Sequence, residues 1–178
     1  MSLETRRIFN HSDSSPKILQ ELFHNIFISE FLDPSDEIWI VSPWISNIEI
    51  FDNRGGAFTT LCPDWQGLSV RLNNVLIRSM TSRTKVNVVA NDTTHNAPFF
   101  FRLDQRARDF GLSGSLNLIQ RSTLHTKGIF TRHGSLTGSM NITYSGVNIN
   151  DEHLIYTISR EAIAQDYLEC ARYLSGSD

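Results

Sequence analysis

Three short apolar runs, Ile38 to Val41, Val86 to Val89 and Leu116 to Ile119, alternate along this chain with segments of helical period. Runs this short, apolar at nearly every position, suit strands buried on both faces. Ile18, Leu19, Leu22, Phe23, Ile26 and Phe27 form one helical stripe, which should pack on a sheet. Ser15-Pro16 ahead of it reads as an N-cap followed by proline at the first helical position. A second helix is expected over Ser69 to Ser82, with Leu72, Val75, Leu76 and Met80 inward. A third should run from Pro98 to Gly111, a suitable C′ residue, and a C-terminal one carries Ile163, Tyr167, Ala171 and Leu174. Strands alternating with helices imply an α/β fold whose sheet is covered on both faces. No repeat, low-complexity tract or linker interrupts the pattern, so residues 1–178 are read as one domain.

Residues 125–152 gather an unusual set of functional groups: His125, Lys127, Ser139, Asn141 and Glu152. Thr123 to Thr131 reads as a strand, Arg132-His133-Gly134 as a turn, and Ser135 to Thr137 as the returning strand. Residues i and i+2 of a strand share a face, so His125 and Lys127 would project together. The hairpin would return Ser139 and Asn141 beside them. His153 to Ser159 makes a further strand, with Glu152 at its entrance. Such groups suit phosphodiester cleavage without a metal. An imidazole can attack phosphorus, while an ammonium and neutral donors hold the non-bridging oxygens. A carboxylate can fix the orientation of a histidine. Each residue alone has an ordinary role to play: Asn141 as a cap, Gly138-Ser139 as a strand end, Glu152 as the partner of a surface cation. His133 and His153 are read as structural or surface residues.

His-x-Lys, a downstream Gly-Ser-x-Asn and a later carboxylate together resemble the signature of the phospholipase D superfamily. Glu37 to Asn47 (EIWIVSPWISN) is similar to that family's opening strand, and the later elements follow in its usual order, over roughly residues 16–175. Within the superfamily, the short chain, the single motif and the SPWIS and GSMN wording are most similar to members encoded with 7-deazaguanine DNA-modification and restriction systems. The resemblance implies a phospholipase D-like α-β-α sandwich with a mixed, mostly parallel central sheet. One departure stands out. The family pattern places an aspartate five residues after the lysine, where this chain has Arg132, and the turn is one residue shorter. That leaves the local hydrogen bonding open, and with it an inactive subunit. Family members use two histidines, one attacking phosphorus and one protonating the leaving oxygen. A single motif therefore implies a two-fold homodimer with one His125 from each protomer. No cofactor or metal enters this mechanism.

Net charge is −3, yet residues 78–132 carry nine Lys or Arg against three Asp, a local balance of +6 between acidic flanks. That distribution fits a phosphate-binding groove, and Arg102, Arg106 and Arg132 are candidate substrate contacts. The alternative is a helix face that merely solvates its arginines. Phe51 to Gly67 is long for a connection, and Arg54, Asn53 and Trp65 in it could touch phosphate or stack on a base. The loop could equally pack on its own Phe58 and Trp65. Cys62 and Cys170 make no metal or disulfide motif, and no run of about 18 apolar residues suggests a membrane span. A cytoplasmic location follows as the simplest expectation. The functional expectation is a DNA nuclease in a restriction or phage-defence system, with DNA, a second copy and other subunits of that system as partners. The competing classes are an inactive DNA-binding or scaffolding subunit and a phospholipid-cleaving enzyme.

Overall fold

The computed structural model describes residues 4–11 and 17–176. The expected cap at Ser15-Pro16 lies outside the described residues. In chain order the elements are β1 (Thr5–Asn10), α1 (Lys17–Leu32), β2 (Glu37–Val41), β3 (Glu49–Asp52), β4 (Ser69–Arg71) and α2 (Leu72–Thr81). There follow β5 (Lys85–Asn91), α3 (Ala97–Asp109), β6 (Leu116–Arg121), β7 (Gly128–Thr131), β8 (Gly134–Gly138), α4 (Tyr144–Asn148), β9 (Glu152–Thr157) and α5 (Arg160–Ala171).

Seven strands form one sheet in the order β1-β9-β8-β7-β2-β5-β6. The pairs β2–β5 and β5–β6 are parallel, whereas β2–β7, β7–β8, β8–β9 and β9–β1 are antiparallel. The expected α/β fold with a mixed sheet is present. The excess of parallel character lies in strand direction: β1, β2, β5, β6 and β8 point one way, and only β7 and β9 oppose them. Crossover helices make β2, β5 and β6 parallel, whereas tight turns and the short α4 connection reverse the chain elsewhere.

The period of two along β2 and β5 divides the core. Ile38, Ile40, Val86, Val88 and Ala90 face a large cluster built with Leu19, Phe23, Ile26 and Phe27 of α1, Leu76 of α2 and Leu103 of α3. Trp39, Val41 and Val89 face the other way, onto Phe130, Leu124 and Cys170 with Tyr167 at the margin. Burial on that side pushes the Cys170 thiol up to about 12. Asn87 is fully buried in β5, but its amide donates to Glu37 Oε2 at 3.1 Å and its carbonyl accepts from Asn117 at 2.7 Å. Burial is tolerable because both ends are paired.

Two expectations change. Ser69 to Arg71 is a strand rather than the first turn of a helix, because it pairs with β3 in a separate two-stranded sheet. Thr123 to Lys127 is not a strand, and β7 begins only at Gly128. The Phe51–Gly67 segment packs on itself. Asn53, fully buried, donates to Trp65 O at 3.0 Å and accepts from the Phe58 amide at 2.6 Å. Trp65 is buried against Phe31 and Phe51, so neither it nor Asn53 is available to a ligand.

Candidate active site

One end of the sheet collects the candidate residues. The last residues of β2, β5, β6 and β8 meet the first residues of β7 and β9 there, as the register dictates. His125 and Lys127 lead into β7, Ser139 and Asn141 leave β8, and Glu152 opens β9. The structure thus brings the five residues to one edge from three separate segments.

His125 is exposed, and its ring has no hydrogen-bond partner among the described residues. Its backbone is nevertheless held. Leu124 is buried, and Asn91 at the end of β5 accepts from the Leu124 amide at 2.7 Å and donates to its carbonyl at 3.4 Å. Lys127 Nζ donates to His125 O at 3.0 Å, bracing the same segment from the other side. Gly128 must follow, because a Cβ there would sit 2.4 Å from the Phe130 ring and 2.8 Å from Leu136 O. A side chain on a braced irregular segment keeps access while losing freedom.

Gly138-Ser139 and Glu152-His153 interlock. The Ser139 amide donates to His153 O at 3.0 Å, and the His153 amide donates to Ser139 Oγ at 3.0 Å. Ser139 Oγ in turn donates to Glu152 Oε2, and Asn150 Nδ2 donates to Oε1 at 3.4 Å. Glu152 is buried, so these bonds carry the cost of removing its carboxylate from water. Gly138 has φ +151, and a Cβ there would meet His153 O at 2.2 Å. Glu152 was expected to orient a histidine; within one chain it orients Ser139 instead.

Asn141 is placed by its neighbours. Ile142 N donates to Ser42 Oγ at 3.0 Å, and Ser46 N donates to Ile142 O at 2.8 Å, so the segment runs beside the extension of β2. Asn141 Oδ1 is buried without a partner among the described residues. Asn96, fully buried, fastens the same corner by accepting from Ile45 N at 2.9 Å and donating to Pro43 O and Asn91 O at 2.8 Å each.

The arginines disperse. Arg132 sits in the β7–β8 turn, at the opposite end of β7 from His125, where it pairs with Asp33. It is no contact for a phosphate at His125. Five residues of extended chain from Lys127 span about 17 Å. The same placement answers the missing aspartate. Carboxylates from α1 and the loop after it secure that turn: Arg132 N donates to Ser35 Oγ at 3.0 Å, and Ser35 in turn bonds buried Glu30. His133 bonds Asp33 O at 2.6 Å, a structural role. Arg54 is engaged twice by Asp52 at 2.8 Å, which holds that carboxyl down at about 2. Arg102 and Arg106 lie one turn apart on α3 but line different cavities, Arg102 beside Tyr144 and Arg106 beside Trp65.

Sequence reasoning missed residues that complete the His125 side. His125 lines a cleft of about 350 Å³ with Arg121, Arg172 and Tyr173. Arg121 donates to Tyr173 O at 2.9 Å and lies 5.7 Å from the Tyr173 ring centre. Arg172 and Tyr173 follow the last helix, far from the motif in sequence, and no spacing signal connects them to it. Asn91, Ser42 and Asn96 were equally silent, because their amide and hydroxyl groups act on backbone that only the fold brings near.

Among known proteins, no family model and no curated sequence matches this chain. Solved structures do. TrmBL2, an archaeal chromatin protein with a novel mode of DNA binding, matches with TM-score 0.54 and 11% identity, over 97% of this chain and 52% of its own. The chain thus spans about half that protein's length. NucT from Helicobacter pylori matches with TM-score 0.59 and 14% identity over 97% of both chains. Nuc from Salmonella typhimurium matches with TM-score 0.54 and 15% identity, over 96% of this chain and 91% of its own. Nuc is a phospholipase D family member, so this chain has a phospholipase D-like fold.

Proposed function

We propose that the chain is a phosphodiesterase, specifically a DNA nuclease, acting through a phosphohistidine in a homodimeric site. The carrying observation is that three segments place His125, Lys127, Ser139, Asn141 and Glu152 at one sheet end, while the His125 ring stays open. In the proposed reaction, a His125 ring nitrogen attacks phosphorus and the leaving oxygen takes a proton from the partner subunit's His125. That second histidine then removes a proton from water, the water oxygen displaces the imidazole, and the P–N bond breaks. Lys127 and Asn141 bind the non-bridging oxygens, and Ser139 joins them when its hydroxyl turns from Glu152 to the phosphate. Glu152 acts through Ser139, holding that hydroxyl until substrate arrives. The proposed setting is a cytoplasmic DNA-modification or restriction system of the 7-deazaguanine type, with its other subunits as partners. No helix among the described residues is long and apolar enough to cross a membrane.

The test is a nuclease assay in EDTA with wild type and His125→Ala on single-stranded, double-stranded and modified DNA, with phosphatidylcholine vesicles as a separate substrate. Cleavage of DNA by wild type alone is the expected result. Vesicle hydrolysis with DNA untouched would transfer the chemistry to phospholipid. A second reading, a DNA-binding scaffold without catalysis, is favoured by the likeness to TrmBL2; DNA binding with no cleavage on any substrate would select it.

A further inference from the structure

A cavity of about 480 Å³ opens beside the segment that carries Asn141, and its lining is not that of a phosphate site. Its volume falls within the range of small-ligand pockets, roughly 300–1,000 Å³. The floor is apolar, from Phe23, Ile48 and Val147, all buried. The rim carries Tyr144, Arg71, Arg102 and Glu49. Tyr144 stands three residues after Asn141 and is 67% exposed, with no ring stacked on it among the described residues. Arg71 is fixed at the mouth by its bond to Asn47 O at 3.1 Å. Arg102 has no ion pair or hydrogen bond among the described residues. Glu49 accepts from Ser69 Oγ through Oε2, which leaves Oε1 to a ligand.

Charge decides the class of ligand. A pocket for phosphate alone would be lined by donors, and the Glu49 carboxylate would repel the anion. A nucleobase edge presents donors and acceptors together, so a carboxylate beside two guanidinium groups complements it. The base's flat apolar faces suit Phe23 below and the Tyr144 ring at the mouth. We propose that this cavity receives an unstacked nucleobase of the strand whose phosphate lies at His125, with Tyr144 stacking on it and Glu49, Arg71 and Arg102 reading its edge. This rests on the phosphodiesterase reading for the neighbouring phosphate. A base can enter only from a single strand or after leaving its duplex, so the cavity makes the enzyme favour unpaired substrate.

The experiment is an abasic scan. Short single-stranded oligonucleotides, one DNA set and one RNA set, each lack one base at successive positions; affinity for full-length His125→Ala is measured by fluorescence anisotropy in EDTA. One position should show a loss of roughly tenfold, as expected when one stacked base is removed. Adding Tyr144→Ala, or Arg102→Ala as a second exposed substitution, should abolish that position's penalty without weakening the abasic oligonucleotide further. The set that shows the penalty identifies the strand as DNA or RNA. A flat scan in both sets, or a penalty that survives both substitutions, overturns the cavity's role even if wild type cleaves. A penalty without cleavage by wild type would leave the cavity standing and remove the nuclease.

Discussion

At the level of single residues, Ser139 would couple stability to the proposed chemistry. Its hydroxyl donates to Oε2 of buried Glu152, with Asn150 on Oε1, and its oxygen accepts the His153 amide. Ser139→Ala removes both at once, and a buried carboxylate oxygen left without its donor costs about 1–3 kcal/mol. We therefore expect Ser139→Ala to lower both turnover and the urea midpoint, whereas His125→Ala should remove cleavage and leave the midpoint unmoved. Equal midpoints for Ser139→Ala and wild type would sink the coupling. Glu30 gives the pH counterpart at the far end of the sheet. Burial raises its carboxyl above the ordinary 4.5, with the Ser35 bonds pulling back less. The folded chain then holds this proton to higher pH than the unfolded chain does. Stability is greatest below about pH 4.5 for this group and falls as pH rises through the folded value. Unfolding by urea between pH 4 and 8 should show that decline in wild type and lose it in Glu30→Gln; identical slopes would exclude Glu30 as the source.

At the scale of elements, the His125 segment depends on a strand end rather than on its own conformation. Asn91 closes β5 and holds Leu124 by both backbone groups. Asn91→Ala should free residues 122–127 while leaving the sheet intact. Hydrogen exchange at the Leu124 amide should quicken and kcat fall about a hundredfold, the cost typical of an ångström's misplacement. Unchanged exchange there would mean that Lys127 alone braces the segment. The sequence discloses elements unevenly for a related reason. The strands β2 and β5 and helices α1 to α3 were legible because burial on one or both faces imposes an apolar period, whereas β6, an edge strand buried only in part, was legible through its apolar run alone. The edge strand β1 passed unread: TRRIFN buries only Ile8 and Asn10 and pairs with β9 alone. The sequence places β4 in a helix because nothing separates SVR from the LNNVLIR stripe, and only its partner β3 makes it a strand. The five motif residues were legible through spacing. Their supports were not, since Asn91, Asn96 and Ser42 bond backbone that lies 33, 51 and 100 residues away.

For the whole molecule, charge and stoichiometry set the expectations. The basic stretch 78–132 does not fold into one groove. Arg83, Lys85 and Arg132 stand at the sheet end opposite His125, while Arg121 and Lys127 stand at the His125 end, so linear charge density overstated the local field. Under the proposed two-histidine reaction, a site with one histidine and one lysine per chain would take its second set from another copy. Phe9 and Trp44, 60% and 46% exposed, flank the motif at the same sheet end and offer apolar surface for an isologous contact. If each site uses both histidines, mixing wild type with an equal amount of His125→Ala and allowing exchange leaves roughly a quarter of dimers with two intact chains. Activity should then fall to about that fraction of the undiluted wild type, at constant total protein, because mixed dimers lack either the nucleophile or the acid. Independent sites would instead leave about half, since every intact chain would still work. Sedimentation of the same mixtures separates the two cases from a failure to associate. A fully active monomer at assay concentration would remove the shared site altogether and require the leaving-group proton to come from within one chain.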